Sequence, residues 1–361
     1  MKIGILTGGG DCAGINSVIE GATYAAERLN HELFGIHKSW YGLINFSRER
    51  LNAKKVDGIG EKAGTILGTS RTNPFQIKEG AGDRSWIVIN NLEDNFDALT
   101  VIGGEDTLGV AYKIDLLWPH VVGIPKTMDY DLQAYSVGYD TAVENIREYI
   151  VNLRTTASSH RRVFVVEVFG RNTGHVAFRA GIAAGADVIL IPEIPYNIDE
   201  VCKSVKKAYK KRGYSIVVVA EGAVPIEKKK QTHLNEEKDE FGHKKLGGIS
   251  FRIADQIKEK LGYQTRATQY TYGSRSGESG SFDSFMGERL GRAAIYAIQE
   301  GEHGVAVVDI DGKTIEVKPL KELIKRKTVN VKEIPIYEKE VNFGRSPKDY
   351  KPKIKQKSLS S

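Results

Sequence analysis

The residues best suited to chemistry lie in the stretch GIPKTMDYD, residues 123–131. Pro125 ends a strand there, Lys126 sets a cation at its mouth, and Asp129 and Asp131 follow on either side of Tyr130. Alone, two aspartates so spaced organise a turn. Three further loops change that reading. TGGGDCAG (Thr7–Gly14) follows an apolar strand and precedes a helix, so bare backbone N–H groups and a helix N-terminus can face an anion. GTSRTNPF (Gly68–Phe75) adds Arg71, whose fork suits phosphate oxygens, although a loop arginine is more often a surface ion-pair partner. IGGEDT (Ile102–Thr107) puts Glu105, Asp106 and Thr107 at another strand end, where acids either cap a helix or bind Mg2+ jointly with phosphates. Anion donors, a cation, a metal ligand and paired carboxylates are what phosphoryl transfer requires: positioning, charge neutralisation and a base for the attacking hydroxyl. No G-x-x-x-x-G-K-[ST] occurs, which excludes a P-loop.

A second group follows. SSHRRVFVVEVFGRNTG (158–174) brackets one strand with Arg161 and Arg162 before it and Arg171 after it. AEGA (220–223) places Glu221 at another strand end, and 265–283 adds Arg266 and Arg275. If these arginines converge, they bind a second phosphate, on the acceptor; taken singly, each reads as a surface ion pair.

The elements that must position these groups alternate between short β-branched runs and helical patterns, the signature of parallel βαβ units. Strands are expected at Lys2–Thr7, Leu33–His37, Ala98–Gly103, Val121–Pro125, Val163–Val168, Val188–Pro192 and Ile216–Ala220. Helices are expected at Asn16–Leu29, at Thr141–Thr156 and over 250–261, the latter two with an apolar face. The expected fold is α/β: two doubly wound α/β/α domains with the active site in the cleft between them, since ligands of such sheets gather at the strands' carboxyl ends. The first domain comprises 1–138 plus about 265–303 and takes the phosphoryl donor. The second comprises 139–264 plus about 304–340 and takes the sugar phosphate, and 341–361 is a basic tail. Glu227–Lys245, with eleven charged residues in nineteen, reads as a surface loop or exposed hairpin.

Composition bounds the rest. The 361 residues are 40% hydrophobic and 27% charged, with no apolar run long enough to span a bilayer and no signal-peptide pattern, so a cytoplasmic protein without membrane partners is expected. The net charge of +6 is concentrated in the tail, where six Lys/Arg stand against Asp349. The remainder is nearly neutral, and nucleic-acid binding is not expected. Two distant cysteines, Cys12 and Cys202, suit a reducing compartment.

In this order and spacing the loops resemble the bacterial-type phosphofructokinase family over about residues 1–310. The shared motifs are GGD, G-T-x-L-G-x-x-R, G-G-[DE]-x-[ST], P-x-T-x-D-x-D, S-S-H-x-R and V-E-V-x-G-R. The resemblance implies that Asp129 is the general base for the sugar C1 hydroxyl, with Asp131 in support. Arg171 would stabilise the transferring phosphoryl group. Gly9, Arg71, Gly104 and Thr107 would contact the donor, and Glu105 would lie near Mg2+. Thr127, Arg162, Phe169, Gly170, Glu221, Arg266, Tyr272 and Arg275 would surround the sugar phosphate, some of them across a subunit interface of a homodimer or homotetramer.

Asp106 and Lys126 stand where ATP-using members resemble G-G-D-G-[ST] and P-G-T, and this pair resembles the pyrophosphate-dependent members. A carboxylate about 4 Å from a nucleotide α-phosphate costs roughly 4 kcal/mol at an effective dielectric near 20, on the order of a thousandfold in affinity. Lys126 is free to neutralise the pyrophosphate leaving group instead. Other departures touch the acceptor: Tyr130 for the family's asparagine, Phe169 for its methionine and Tyr272 for its histidine. The implied activity is therefore Mg-dependent, reversible phosphoryl transfer from pyrophosphate to fructose 6-phosphate. Alternatives are ATP as donor, another acceptor (sedoheptulose 7-phosphate or a nucleoside), or a non-catalytic regulatory paralogue. An NAD-type reading of the first glycine loop lacks its ribose-binding acid at His37 and Lys38. The first helix lacks the effector-binding arginine pair of regulated members, so little allostery is expected.

Overall fold

The computed structural model describes residues 1–76, 82–227, 231–238, 241–242, 244–310, 312–332, 334, 337 and 341–346. Its strands are β1 (Lys2–Thr7), β2 (Glu32–Ile36), β3 (Arg48–Leu51), β4 (Ala98–Gly103), β5 (Val121–Pro125), β6 (Val163–Val168), β7 (Val188–Leu190), β8 (Ser215–Ala220), β9 (His233–Lys238), β10 (Lys244–Leu246), β11 (Thr265–Gln269), β12 (Val305–Asp309) and β13 (Ile315–Pro319). The chain divides into two compact units. The first is Met1–Asn145, Glu236–Lys245 and Tyr272–Lys327, and the second is Ile146–Asn235, Leu246–Thr271 and Thr328–Ser361.

The first unit holds a seven-stranded sheet in the order β13-β12-β5-β4-β1-β2-β3. Its central pairs are parallel, and β3 and β13 close the two edges antiparallel. β4 and β5 are buried along their whole length and β1 along all but Lys2, as expected of strands covered on both faces. The chain order reverses at β1, which pairs with β2 on one side and β4 on the other. The registers Thr7↔Ile102 and Gly103↔Pro125 bring the carboxyl ends of β1, β4 and β5 level at this switch point. Three of the four loops singled out from sequence leave the sheet from that one edge. Helices Ile15–Arg28 and Ser281–Gln299 pack so closely that a Cβ on Gly291 would lie 2.1 Å from the Val18 carbonyl.

The second unit holds a parallel four-stranded sheet, β11-β6-β8-β7, over a core of Val163, Val165, Leu190, Val205, Val217, Ile253 and Ile257. β6, β7 and β8 are fully buried. The expected strands are all present within one or two residues at their ends. Of the strands not anticipated, β3, β11 and β13 are short or partly exposed and carry little apolar signal, whereas β12 (VAVVD) is apolar and mostly buried and its signal was there to be read. The helix expected at Thr141–Thr156 runs over Tyr139–His160 and stops only where Arg161 turns left-handed, φ 49°.

The observed units depart from the expected division at several points, and 139–145 and 236–245 fall in the first unit. Residues 304–327 belong with the first unit because β12 pairs in parallel with β5. Residues 265–271 belong with the second because β11 pairs with β6. At the start of the basic tail, Phe343 is buried and Asn342 bridges to Val188, so 341–346 are docked on the second unit. The tail's five lysines lie outside the described residues. The charged segment forms the two-stranded sheet β9–β10. No helix among the described residues is long and apolar enough to cross a membrane.

Candidate active site

Lys126 follows the last residue of β5, and its N–H donates to the Gly103 carbonyl, so its side chain enters the space above β1. It is buried, and its ammonium donates to the carbonyls of Gly8 at 2.8 Å and Gly10 at 2.5 Å. Burial holds its pKa below the usual lysine value of 10.5, and the neighbouring guanidinium groups of Arg275 and Arg71 add to that. Arg275 approaches the same loop: it pairs with Asp11 at 3.2 Å, and its Nη1 lies 2.9 Å from where a Cβ on Gly10 would stand. Three cations thus gather on one glycine loop. Mutual repulsion among them falls when a multiply charged anion arrives.

Gly9 lies at the centre of this group. Its φ of 80° is left-handed, and a Cβ there would sit 3.6 Å from the Lys126 ammonium and 3.7 Å from the Thr107 hydroxyl. The second loop fixes the first: the Thr69 hydroxyl donates to the Gly9 carbonyl at 2.6 Å, and the Gly9 N–H donates to the Ser70 carbonyl. Gly104 caps helix Glu105–Asp115, whose first turn carries Glu105 and Asp106 where its dipole favours negative charge. Thr107 is buried against Gly8 and Gly103, whose bareness admits it.

Beyond Lys126 the chain turns sharply. The Thr127 hydroxyl accepts the Asp129 N–H at 3.1 Å and donates to the Asp131 carboxylate. Burial raises the pKa of Asp131, the Thr127 hydrogen bond opposes that, and the nearby Glu105 charge adds to it. Tyr130 adopts a left-handed φ of 55°, a conformation in which asparagine is common and a bulky residue is not. Its ring stacks on Tyr139 with centroids 4.4 Å apart. The tyrosine between the two acids therefore anchors the turn.

Among the described residues no cluster of three or more His, Cys, Asp and Glu is placed to hold a metal by itself. Mg2+ bound through phosphates and water needs only one or two carboxylates. Asp131 carries a buried Oδ1 without a hydrogen bond among the described residues, and Glu105 is close enough to affect its ionisation. The donor set fits such an ion, with Glu105 engaged meanwhile by Arg326 at 3.0 Å.

In the second unit, Phe169, Gly170 and Arg171 follow β6, and Glu221 follows β8. Gly170 is left-handed at φ 139°, and its carbonyl accepts the Gly222 N–H at 3.0 Å. Gln231 donates to the Arg171 carbonyl. Arg162 precedes β6 and bonds Gln264 at 3.1 Å, while Arg266 is exposed in β11 opposite Phe164. These two arginines lie at the amino edge of the sheet and Arg171 and Glu221 at its carboxyl edge, about 20 Å apart along a six-residue strand. The expected convergence of the arginines does not occur within this unit. Tyr272 and Arg275 lie in the first unit, with the guanidinium 4.9 Å over the exposed ring. Arg275 stands beside the donor loop of its own unit.

Asp283 is a residue of the site that no motif marks in the sequence. Fully buried, it accepts hydrogen bonds from the Tyr135 hydroxyl, the Gly138 and Thr141 N–H groups and the Thr141 hydroxyl, at 2.7–2.9 Å. It ties the chain leaving the Asp129–Asp131 turn to helix Ser281–Gln299. An aspartate two residues into an apolar helix was the available signal.

A protein-family model described as Phosphofructokinase matches residues 2–298. The pyrophosphate–fructose 6-phosphate 1-phosphotransferase of Amycolatopsis methanolica is 41% identical over 347 residues, covering 95% of this chain and 100% of that one. The ATP-dependent 6-phosphofructokinase of Corynebacterium efficiens is 39% identical over 324 residues, 88% of this chain and 92% of that one. The solved structure of a pyrophosphate-dependent phosphofructokinase from Marinobacter aquaeolei superposes with a TM-score of 0.78 at 20% identity, over 92% of this chain and 86% of that one, a likeness of fold.

Proposed function

The chain belongs to the phosphofructokinase family, and from that premise we propose that it transfers a phosphoryl group reversibly between pyrophosphate and the C1 hydroxyl of fructose 6-phosphate. Relatives of similar identity use either donor, so the choice rests on the site. The observation that carries it is Lys126, buried on the Gly8–Gly10 carbonyls beside Arg71 and Arg275, with Asp106 at the adjoining helix end. This is a cradle for a compact polyanion, and a second carboxylate repels a nucleotide's α-phosphate.

Each group then has a role. Gly9, Gly104 and Thr107 line the path of the phosphates, with Arg71 and Lys126 neutralising the leaving group. Asp129 removes the proton from the attacking hydroxyl, and Asp131, held by Thr127, supports it. Arg171 meets the charge of the phosphoryl group in flight. Glu105 and Asp131 would hold Mg2+, which when bound neutralises the donor's oxygens. Phe169, Gly170 and Glu221 bound the sugar, and Arg275, its guanidinium over the Tyr272 ring, serves the donor cradle. Arg162 and Arg266, at the other edge of their sheet, serve the sugar phosphate of a neighbouring copy in a homodimer or homotetramer. Cys12 and Cys202, buried and unpaired, suit the reducing cytoplasm.

The test is formation of fructose 1,6-bisphosphate from fructose 6-phosphate and pyrophosphate with Mg2+, run beside Asp129→Asn. Product at a substantial rate in the wild type, and a loss of at least about a hundredfold in kcat in the variant, supports the reading. Full activity of Asp129→Asn removes the base.

A further inference from the structure

A segment remote in sequence, Leu323–Lys327, is stitched along the Tyr130–Gln133 turn. The Lys327 N–H donates to the Asp131 carbonyl at 2.7 Å, and the Gln133 N–H donates to the Leu323 carbonyl at 3.1 Å. The Gln133 side-chain amide donates to the carbonyls of Lys325 at 3.1 Å and Arg326 at 3.3 Å. Above these backbone bonds the half-buried Lys327 places its ammonium 3.6 Å from the centroid of the Tyr130 ring, and Arg326 pairs with Glu105. The ring so covered belongs to the one residue of the turn with a left-handed backbone, and that residue lies directly between Asp129 and Asp131.

We propose that Lys327 is a positioning residue for the phosphoryl-transfer reaction: its ammonium, bound to the face of Tyr130, holds the left-handed turn that aims the Asp129 carboxylate. The chemistry is specific. A left-handed tyrosine is strained, and a β or right-handed backbone there would swing both flanking carboxylates. Stacking on Tyr139 covers one face of the ring, and a cation over the other satisfies its negative quadrupole. Lys327 acts through Tyr130, and its loss is read in the turnover step rather than in substrate binding. The proposal rests on Asp129 as the base, so both are tested together.

Lys327→Met keeps the side chain's apolar stem and removes the cation. The expected result is a fall in kcat of about tenfold with KM for pyrophosphate and fructose 6-phosphate changed less than about twofold, since a misplaced catalytic group costs rate first. The melting temperature should stay within about 2 °C, separating this effect from a general loss of stability. Lys327→Arg, which keeps the cation–π contact, restores kcat. Tyr130→Leu lowers kcat to a similar degree, Tyr130→Phe does not, and Lys327→Met in the Tyr130→Leu background costs nothing further. Unchanged kcat in Lys327→Met, failure of Arg to rescue, or multiplication of the two losses overturns the proposal. So does a fall in melting temperature with a matching rise in both KM values. Asp129→Asn run in parallel separates the two ideas: if it remains active the base assignment fails, and if it is dead while Lys327→Met is wild-type only the positioning role fails.

Discussion

Lys126 shows how one residue takes on two duties. Its ammonium has three protons, and two of them hold the Gly8 and Gly10 carbonyls, so the donor loop is shaped by the cation it offers to the ligand. Because burial lowers its pKa below 10.5, its charge is lost earlier in alkali than that of a surface lysine. The sign is plain: deprotonation removes a cation from the phosphate cradle and weakens binding. KM for pyrophosphate should therefore rise at a pH below 10.5, and Lys126→Met should raise it at neutral pH as well. The lysine and its neighbours were legible in sequence because their types are unusual at a strand end. The partners of the ammonium were not, because backbone carbonyls have no signature. Lys327 was illegible for another reason: nothing in the chain 197 residues away from Tyr130 declares that the two will meet.

At the scale of elements, the site depends on how tightly loops and helices pass each other. A Cβ on Gly222 would stand 2.0 Å from the Arg171 carbonyl, so Gly222→Ala must displace the loop that carries the arginine. The expected loss in kcat is roughly a hundredfold, as for a catalytic group moved by about 1 Å, and steady-state assays of this variant check it. Asp283 governs the other loop. Burial raises its pKa above 3.8 despite the four hydrogen bonds it accepts. The folded state therefore holds this proton more tightly than the unfolded chain, and the residue's contribution to stability falls as pH rises from 3.8 through the folded value. Asp283→Asn abolishes that titration but offers an amide where donors converge, a loss of about 1–3 kcal/mol. Urea titrations of both proteins should show the stability gap between them narrowing from acid towards neutral pH. The strands and the long helices were readable from apolar periodicity. Asp283 was not, because a buried carboxylate is defined by its donors, which come from residues 135–141.

For the whole molecule, the order of strands decides what one chain can assemble. The sequence suggested one cluster of arginines, but Arg162 and Arg171 bracket the same strand and so lie at opposite edges of one sheet. Sheet order and the swap of 265–271 and 304–327 between units depend on long-range pairing, which local patterns do not encode. If Arg162 serves a neighbouring copy, chains carrying Arg162→Ser and chains carrying Asp129→Asn, each inactive, should regain part of their activity when refolded together. No recovery in verified mixed oligomers would confine Arg162 to a structural role.

The measurement that bears most directly on the account is the donor preference, kcat/KM with pyrophosphate against ATP, in the wild type and in Asp106→Gly with Lys126→Gly. The wild type should prefer pyrophosphate by about a thousandfold or more, and the double variant should lose that preference as ATP use appears. A wild type that uses ATP equally well, or a double variant that still uses pyrophosphate and not ATP, would contradict it.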